Sequence, residues 1–155
     1  MAEHNRLVTI IFMLVACISS AVASETVNFQ HLSLNSMFPQ ITINGLYQDE
    51  SGVLWIGTKD GVKKYNGNYI ESVNFMGINN WIQSNLVPTI CGDKKGHLYV
   101  NTDYSIIEYD LIKEESRIIF SQPNTQILPS IAFNYGINSL WIGLLDSVYN
   151  YKQGI

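Results

Sequence analysis

The stretch GVLWIGTKDGVKKYNG, from Gly52 to Gly67, contains a short apolar run between two glycine-containing turns. The run from Val53 to Gly57 has no charged residue, so it lacks the alternation of a strand with one face in water. Continuous apolar strands are typical of sheets that are covered on both faces. The pair Asp60-Gly61 that follows is a strong signal for a tight hairpin. The stretch therefore predicts two paired strands inside a stack of sheets.

The residues on either side extend this hairpin to a four-stranded antiparallel meander. β-branched and aromatic residues favour strands at 43–48, 53–58, 62–65 and 69–75. The turn between the first two strands has Asp49, whose carboxylate can cap backbone N–H groups, and Gly52, which can accept a positive φ.

This meander occurs three times along the chain. Leu98 to Thr102 stands 44 residues after Leu54 to Thr58, and the stretch that begins at Leu140 stands 42 residues later again. In the third copy, Tyr135 and Asn138 replace the Asp and the Gly of the turn. Four-stranded units with a period of ~40–50 residues are typical of β-propeller blades.

We therefore predict an all-β fold of about three β-propeller blades, which is an incomplete propeller because closed ones have ~4–8 blades. The repeats are expected at approximately 41–75, 86–120 and 127–155 of a partial propeller that covers 24–155. A β-sandwich of the same strands is the alternative. In a propeller, we expect Trp55 and Trp141 to fill space between blades. Gly57 and Gly143 are expected where a neighbouring side chain approaches the backbone.

Residues 1–23 are predicted to be a secretory signal peptide. The apolar run from Leu7 to Ile18 is shorter than the ~20 residues of a membrane span. The segment from Ala21 to Ala23 has the small residues of a cleavage site. In the alternative interpretation, the lipobox-like sequence that ends at Cys17 makes this cysteine the lipidated N-terminus. Both interpretations predict an exported chain.

Cysteine count and charge exclude two other classes of protein. Only Cys91 remains after the signal peptide, so no intrachain disulfide can form, and we expect a small buried apolar residue. The formal charge of −4 is dispersed over 155 residues with no basic block. Nucleic-acid binding through this segment is therefore not expected.

No motif for catalysis or metal binding is present in the sequence. Cys91 and His97 alone are too few ligands for a zinc site, so we expect no metal and no cofactor. Asp103 and Glu108, or Asp49 with Glu50, could be an acid/base pair. The alternative, which we favour, is that Asp49 and its repeat equivalent Asp93 cap turns, while Glu108 is a solvated strand residue. Residues 113–117, with two glutamates between a lysine and an arginine, are expected to form an exposed charged hairpin.

Two stretches resemble the first repeat of the two-component regulator propellers. They are FQHLS, at Phe29 to Ser33, and, after a short connector, ITINGLYQDESGVLWIGTKDGVKKYNG. The resemblance extends from Phe29 almost to the end of the chain and is strongest at Gln48 to Gly61. It departs from the family pattern at Asn35 to Phe38, where the family usually has a glycine-leucine pair. Members of this family occur in the sensor regions of hybrid two-component systems of gut Bacteroidetes.

The resemblance implies a periplasmic sensor of glycan fragments. Family members have a signal peptide, two propellers, a small β-sandwich, a membrane helix, a histidine kinase, a receiver and a DNA-binding domain. The chain would be the front part of such a protein, encoded by a truncated or fragmentary reading frame. An oligosaccharide, the downstream blades and the kinase would be its partners, and it could form a homodimer. Any kinase activity would lie outside the chain, which is therefore not expected to be an enzyme.

Two other functions are consistent with a propeller: a secreted enzyme that acts on polysaccharide, and a surface interaction scaffold. For a sensor, we predict the ligand face at the end of the sheets that carries the turn at Lys59-Asp60-Gly61 and the long connector from Met76 to Pro88. Amides and an aromatic ring suit a sugar. The candidate ligand-binding residues are Asn79, Asn80, Trp81, Gln83, Lys59, Asp60, Asp103 and Tyr104. In the alternative interpretation, Trp81 packs on the blade edge and the asparagines cap turns.

Overall fold

The computed structural model describes residues 1, 3–6, 28, 42–75, 85–122 and 129–153. The chain divides into two compact units, 1–33 and 34–155. In the first unit, residues 3–6 form one helical turn, and the predicted cleavage site and Cys17 lie outside the described residues. Within the described ranges, no helix is long and apolar enough to span a membrane.

The second unit consists of three antiparallel sheets in which every strand pairs with its neighbours in sequence. We call the sheets blades 1, 2 and 3. Blade 1 contains β1 (Ile43–Gln48), β2 (Leu54–Thr58), β3 (Gly61–Tyr65) and β4 (Ile70–Val73). Blade 2 contains β5 (Thr89–Gly92), β6 (His97–Asn101), β7 (Ser105–Asp110) and β8 (Glu115–Ser121). Blade 3 contains β9 (Ser130–Asn134), β10 (Ser139–Gly143) and β11 (Val148–Tyr151).

The blades are arranged like the sheets of a propeller. β1 packs against β5, and β5 packs against β9, so the first strand of each blade lies beside the first strand of the next. This is the place of the inner strands in sheets that radiate from an axis. The prediction of all-β propeller blades is therefore confirmed.

An apolar core fills the seam between blades 1 and 2. Trp55 of blade 1 is only 5% exposed, and blade 2 contributes β-strand side chains from the facing side of its sheet. The buried residues of this seam are Trp55, Val62, Phe75, Val87, Ile90, Leu98, Val100, Ile107 and Tyr109.

A second core fills the seam between blades 2 and 3, and is built from Tyr99, Ile106, Ile131, Leu140 and Ile142. Leu98 and Val100 of β6 face blade 1, while Tyr99, between them in sequence, faces blade 3. The middle sheet is thus dry on both faces. The equivalent strand of blade 1, Leu54–Thr58, is likewise buried along most of its length, in agreement with its lack of polar alternation.

The same aromatic contact occurs in both seams. The Trp55 ring meets the edge of Tyr109 at 6.1 Å between centroids, and Tyr99, its repeat equivalent, meets Tyr151 in the same way at 6.5 Å. Trp55 is therefore an inter-blade residue, as predicted. For Trp141 the role stays a prediction, because its ring is 39% exposed and no described sheet covers this face of blade 3. Because Leu140 and Ile142 beside it face blade 2, Trp141 lies on the opposite face of its sheet.

Carboxylates cap the first turn of blades 1 and 2, as the sequence predicts. Asp49 Oδ1 accepts hydrogen bonds from the backbone N–H groups of Ser51 (2.9 Å) and Val53 (3.0 Å), and Asp49 Oδ2 accepts one from Trp55 Nε1 at 2.8 Å. Burial raises the pKa of Asp49, but these hydrogen bonds outweigh the effect and hold it below its usual value.

Asp93 Oδ1 makes the equivalent bonds to the backbone N–H groups of Lys95 and His97. In blade 3 the capping residue is Asn134, whose Oδ1 accepts from Gly136 N at 2.9 Å. Asn138 has a φ of +49° and so takes the conformation that Gly52 has in blade 1.

Gly57 and Gly143 both lie where a side chain comes close, as predicted. A Cβ on Gly57 would stand 2.9 Å from Val87 Cγ1, and one on Gly143 would stand 2.8 Å from Ser130 Oγ. Val87 belongs to the segment that precedes blade 2, so Gly57 lets this segment cross the end of β2 closely.

Replacing Gly61 with valine is expected to lower the free energy of unfolding by about 1–3 kcal/mol. Gly61 has a φ of +86°, which a β-branched side chain tolerates poorly, although the space around it is open. Lys59→Ala, at an exposed position of the same turn, should change stability by less than about 0.5 kcal/mol. Urea unfolding of both variants tests this, and equal midpoints would contradict a requirement for positive φ.

Candidate functional site

The predicted ligand face lies at one end of the sheets, which we call the connector end. Here the turn between β2 and β3 binds the segment that leads to blade 2: Gly61 N donates to Asn85 O at 2.8 Å, and Val87 N donates to Thr58 O at 2.9 Å. In blade 2, Gln122 N donates to Tyr104 O at 2.9 Å. The sequence correctly places these turns and the inter-blade connectors at the same end.

Buried threonine hydroxyls hold the two turns. Thr58 Oγ1 accepts from Asp60 N at 2.9 Å and donates to Gly61 O at 2.8 Å. Thr102 Oγ1 accepts from Ser105 N and donates to Ser105 O, both at 3.0 Å. Each turn is therefore fixed from within, which gives any side chain on it a defined position.

Four of the candidate ligand-binding residues lie within the described ranges, and they differ in solvent exposure. Lys59 and Asp60 are exposed, and the Asp60 carboxylate lies 3.6 Å from Lys63 Nζ. Tyr104 is half-buried, whereas Asp103 is only 7% exposed and offers little surface to a ligand. Asn79, Asn80, Trp81 and Gln83 lie outside the described residues, so the ligand face as a whole stays a prediction.

Asn101 is a connector-end residue that sequence reasoning did not single out. It stands where the other repeats have Gly57 and Gly143, and its side chain is fully buried. Asn101 Nδ2 donates to Pro129 O, and Asn101 Oδ1 has no hydrogen-bond donor within the described ranges. This asparagine ties blade 2 to the segment before β9. The sequence contained a signal for this role, because Asn101 replaces the glycine that the other two repeats have at this position.

A cleft of about 450 Å³ opens between blades 1 and 2 at the other end of the sheets, which we call the turn end. Its lining combines Trp55, Tyr109 and Leu111 with charged side chains. Two of its lysines have partners: Lys64 pairs with Glu71 at 3.0 Å, and Lys95 Nζ donates to Asn138 Oδ1 at 2.7 Å. The sequence did not predict this cleft.

The interpretation of Glu108 as a solvated strand residue is wrong. Glu108 is 3% exposed in the seam between blades 2 and 3, where its Oε2 accepts a hydrogen bond from Arg117 Nε and lies 3.5 Å from the Tyr151 hydroxyl. The hydrogen bond to Glu108 raises the pKa of Arg117. Burial, and then the Glu108 charge, raise the pKa of Tyr151. The hairpin of residues 113–117 is thus anchored by Arg117.

The described residues give little support for a metal or a reactive thiol. In those ranges, no group of three or more His, Cys, Asp or Glu side chains could hold a metal ion. Burial raises the pKa of Cys91 to about 12, so its thiol stays protonated at neutral pH.

The family model described as two component regulator propeller matches residues 37–60. The match includes β1, the turn capped by Asp49, and β2. A comparison with curated protein sequences finds no match.

Solved structures from Bacteroides thetaiotaomicron share the fold. The extracellular domain of one hybrid two-component system aligns with a TM-score of 0.59 and 16% identity over 72% of the chain. That of a second such system aligns with 0.56 and 21% over 84%. An auxiliary nutrient binding protein aligns with 0.53 and 11% over 72%. The chain spans only 15%, 19% and 29% of these three structures, respectively.

At these identities the structural likeness establishes the fold alone, and the family match applies to the first hairpin of blade 1. The three sheets, their inner strands and the matched segment agree with each other. The second unit is therefore a set of β-propeller blades, in which residues 37–60 match the two component regulator propeller model.

Proposed function

We propose that the chain is the ligand-sensing propeller module of a hybrid two-component sensor, and that its ligand is a glycan fragment. The observation that carries this proposal is the family match at residues 37–60. Two structural relatives are extracellular domains of hybrid two-component systems and a third is a nutrient-binding protein, which supports a binding role outside the cytoplasm.

In this proposal, residues 1–23 direct export to the periplasm, and residues 24–155 form the propeller part of a longer, membrane-anchored sensor. The connector end supplies the ligand face. Its turns are held by Thr58 and Thr102, and they present Lys59, Asp60 and Tyr104. The proposed face also includes Asn79, Asn80, Trp81 and Gln83, which are assigned to it from the sequence alone. An aromatic face for sugar C–H groups and amides for sugar hydroxyls are what a saccharide needs.

The chain itself has a binding role and no catalytic one in this proposal. Ligand binding would bias the packing of blades, and the kinase elsewhere in the sensor would respond to that bias. A ligand can shift such an equilibrium only by the difference between its affinities for the two states. In this proposal, contact of the ligand with more than one blade at the connector end would provide such a difference.

Trp81→Ala and Asn80→Ala are each expected to weaken glycan binding at least tenfold without changing the thermal midpoint. The measurement is calorimetric titration of the chain with oligosaccharides released from host and plant polysaccharides, beside a thermal melt. Asn68→Ala is the matched amide control, because Asn68 is an exposed residue of the turn between β3 and β4 at the turn end.

Unchanged affinity in both variants would contradict a ligand face at the connector end. A large drop in the melting temperature of Trp81→Ala alone would assign this ring to packing. The DNA downstream of codon 155 tests the sensor role. A membrane helix followed by a kinase histidine motif would support it, whereas a stop codon followed directly by an unrelated gene would leave the chain as a remnant.

A further inference from the structure

A second cleft, of about 310 Å³, lies between blades 2 and 3 at the turn end. We call it the polar cleft, after the residues on which the following argument depends: His97, Glu108, Asp110, Lys113, Arg117 and Gln153. Its volume is at the lower end of the ~300–1,000 Å³ that is typical of small-molecule sites.

Comparison with the seam between blades 1 and 2 identifies what is unusual about this cleft. Three equivalent positions of the repeat contribute a side chain to each cleft. In the cleft between blades 1 and 2 these side chains are Val53, Lys64 and Leu111. In the polar cleft the same positions are His97, Glu108 and Gln153. A seam of this fold is therefore stable with valine and leucine here, so packing alone does not require the polar side chains.

The ion pair between the third and fourth strands also differs between the blades, because in blade 2 the acid and the base exchange positions and the acid is buried. In blade 1, Lys64 pairs with Glu71, and both side chains are more than a third exposed. In blade 2, Glu108 pairs with Arg117, and the Glu108 side chain is 3% exposed. Glu108 Oε1 has no hydrogen-bond donor among the described residues. A buried carboxylate oxygen without a donor is energetically unfavourable, so a hydrogen-bond partner for this atom is expected.

The histidine adds an acceptor to the same cleft. His97 Nδ1 lies 2.8 Å from Asp93 Oδ2, which identifies Nδ1 as the protonated nitrogen in the neutral ring. His97 Nε2 is then an acceptor, and the nearest carboxylate oxygen, Asp110 Oδ2, is 3.9 Å away. Gln153 is exposed at the rim and brings both an amide donor and a carbonyl acceptor.

The charges of the cleft select the class of ligand. Arg117 neutralises Glu108, and Lys113 lies 3.3 Å from Asp110. A third acid, Glu115, also lines the cleft and is exposed to water. An anion would meet Glu108 and Asp110, and a cation would meet Arg117 and Lys113. A neutral ligand with several hydroxyl groups avoids both conflicts, because each hydroxyl can donate to Glu108 or His97 and accept from Gln153.

We infer that the polar cleft is a second binding site, and that it takes a neutral, polyhydroxylated ring of the size of a monosaccharide unit. Glu108 Oε1 accepts from one ligand hydroxyl, His97 Nε2 accepts from another, and Gln153 closes the rim. The inference rests on the proposed function for its biological setting, but its residues lie at the turn end, opposite the connector-end face.

Gln153→Trp, which places a large ring across the rim, is expected to weaken binding of a neutral monosaccharide at least tenfold. The probes are D-glucose, D-galactose, D-mannose, D-xylose and L-arabinose at millimolar concentrations, followed by amide chemical shifts of the isotope-labelled chain. Lys152→Trp is the matched control, because Lys152 is exposed beside Gln153 in sequence and does not line the cleft. It should bind as the unsubstituted chain does.

Glu108→Gln, with a thermal melt beside it, tests the proposed acceptor and should also weaken binding about tenfold. The inference is overturned if none of the five sugars shifts amide signals of β6, β7 and β8, or if Gln153→Trp binds like Lys152→Trp. If Trp81→Ala alone abolishes binding, the proposed connector-end face stands and the polar cleft fails. If only the Gln153 variant loses binding, the reverse holds.

Discussion

Replacing Trp55 with alanine is expected to lower the free energy of unfolding by about 3–5 kcal/mol. The ring is 5% exposed, fills the seam between blades 1 and 2, and packs on the edge of Tyr109. The substitution also removes the indole N–H that Asp49 Oδ2 accepts at 2.8 Å, so the capping carboxylate loses a partner. Urea unfolding followed by circular dichroism measures the loss.

The chain has a matched control for this substitution at the equivalent position of blade 3. Trp141→Ala removes the same side chain from a strand of the same sequence, but from a ring that is 39% exposed. Its cost should be no more than about two-thirds that of Trp55→Ala, because transfer free energy scales with the apolar area removed from water. Equal costs would contradict the assignment of Trp55 to an inter-blade seam.

Replacing Arg117 with methionine is expected to cost about 2–3 kcal/mol. The substitution leaves the Glu108 carboxylate buried without its cation, and breaking a fully buried pair costs about 3–5 kcal/mol. The smaller figure reflects the Arg117 side chain, which is 59% exposed and so partly screened by water.

The double variant Glu108→Leu with Arg117→Met should recover most of this loss, since it removes the stranded charge as well as its partner. Chemical denaturation of the single and double variants completes the cycle. If the double variant is less stable than Arg117→Met, the penalty does not come from an unpaired carboxylate at Glu108.

The strands and turns could be predicted because their causes are local. Asp49 with Gly52, and Asp60 with Gly61, fix hairpins within a few residues, and the bounds of β1 agree with the prediction. In blade 3 the cap is Asn134, one residue before the position that the repeat alignment indicates. A side-chain cap depends on reach to the backbone, which a neighbouring position can also satisfy.

The features that the sequence did not predict are contacts between blades. Glu108 is buried because Arg117 lies on the next strand and Tyr151 on the next blade, 43 residues away in sequence. Both clefts are likewise formed by two sheets, so no pattern within one repeat signals them. The sequence shows that Asn101, His97 and Gln153 depart from the repeat. Their structural roles depend on the residues of the neighbouring blade that face them, which the sequence does not reveal.

The edge contacts of Trp55 with Tyr109, and of Tyr99 with Tyr151, give the arc a direction. Blade 1 contributes Trp55 to the first seam, where Tyr109 of blade 2 meets it, and blade 2 contributes Tyr99 to the second seam, where Tyr151 of blade 3 meets it. Neighbouring blades are thus joined head to tail. The spacing of the repeats along the chain therefore determines which aromatic ring faces which tyrosine in each seam. Adding or removing one whole repeat between seams keeps each ring opposite its tyrosine. An insertion of a few residues within a strand would put them out of phase. Such a chain can change its number of blades by duplication while its packing rule stays the same.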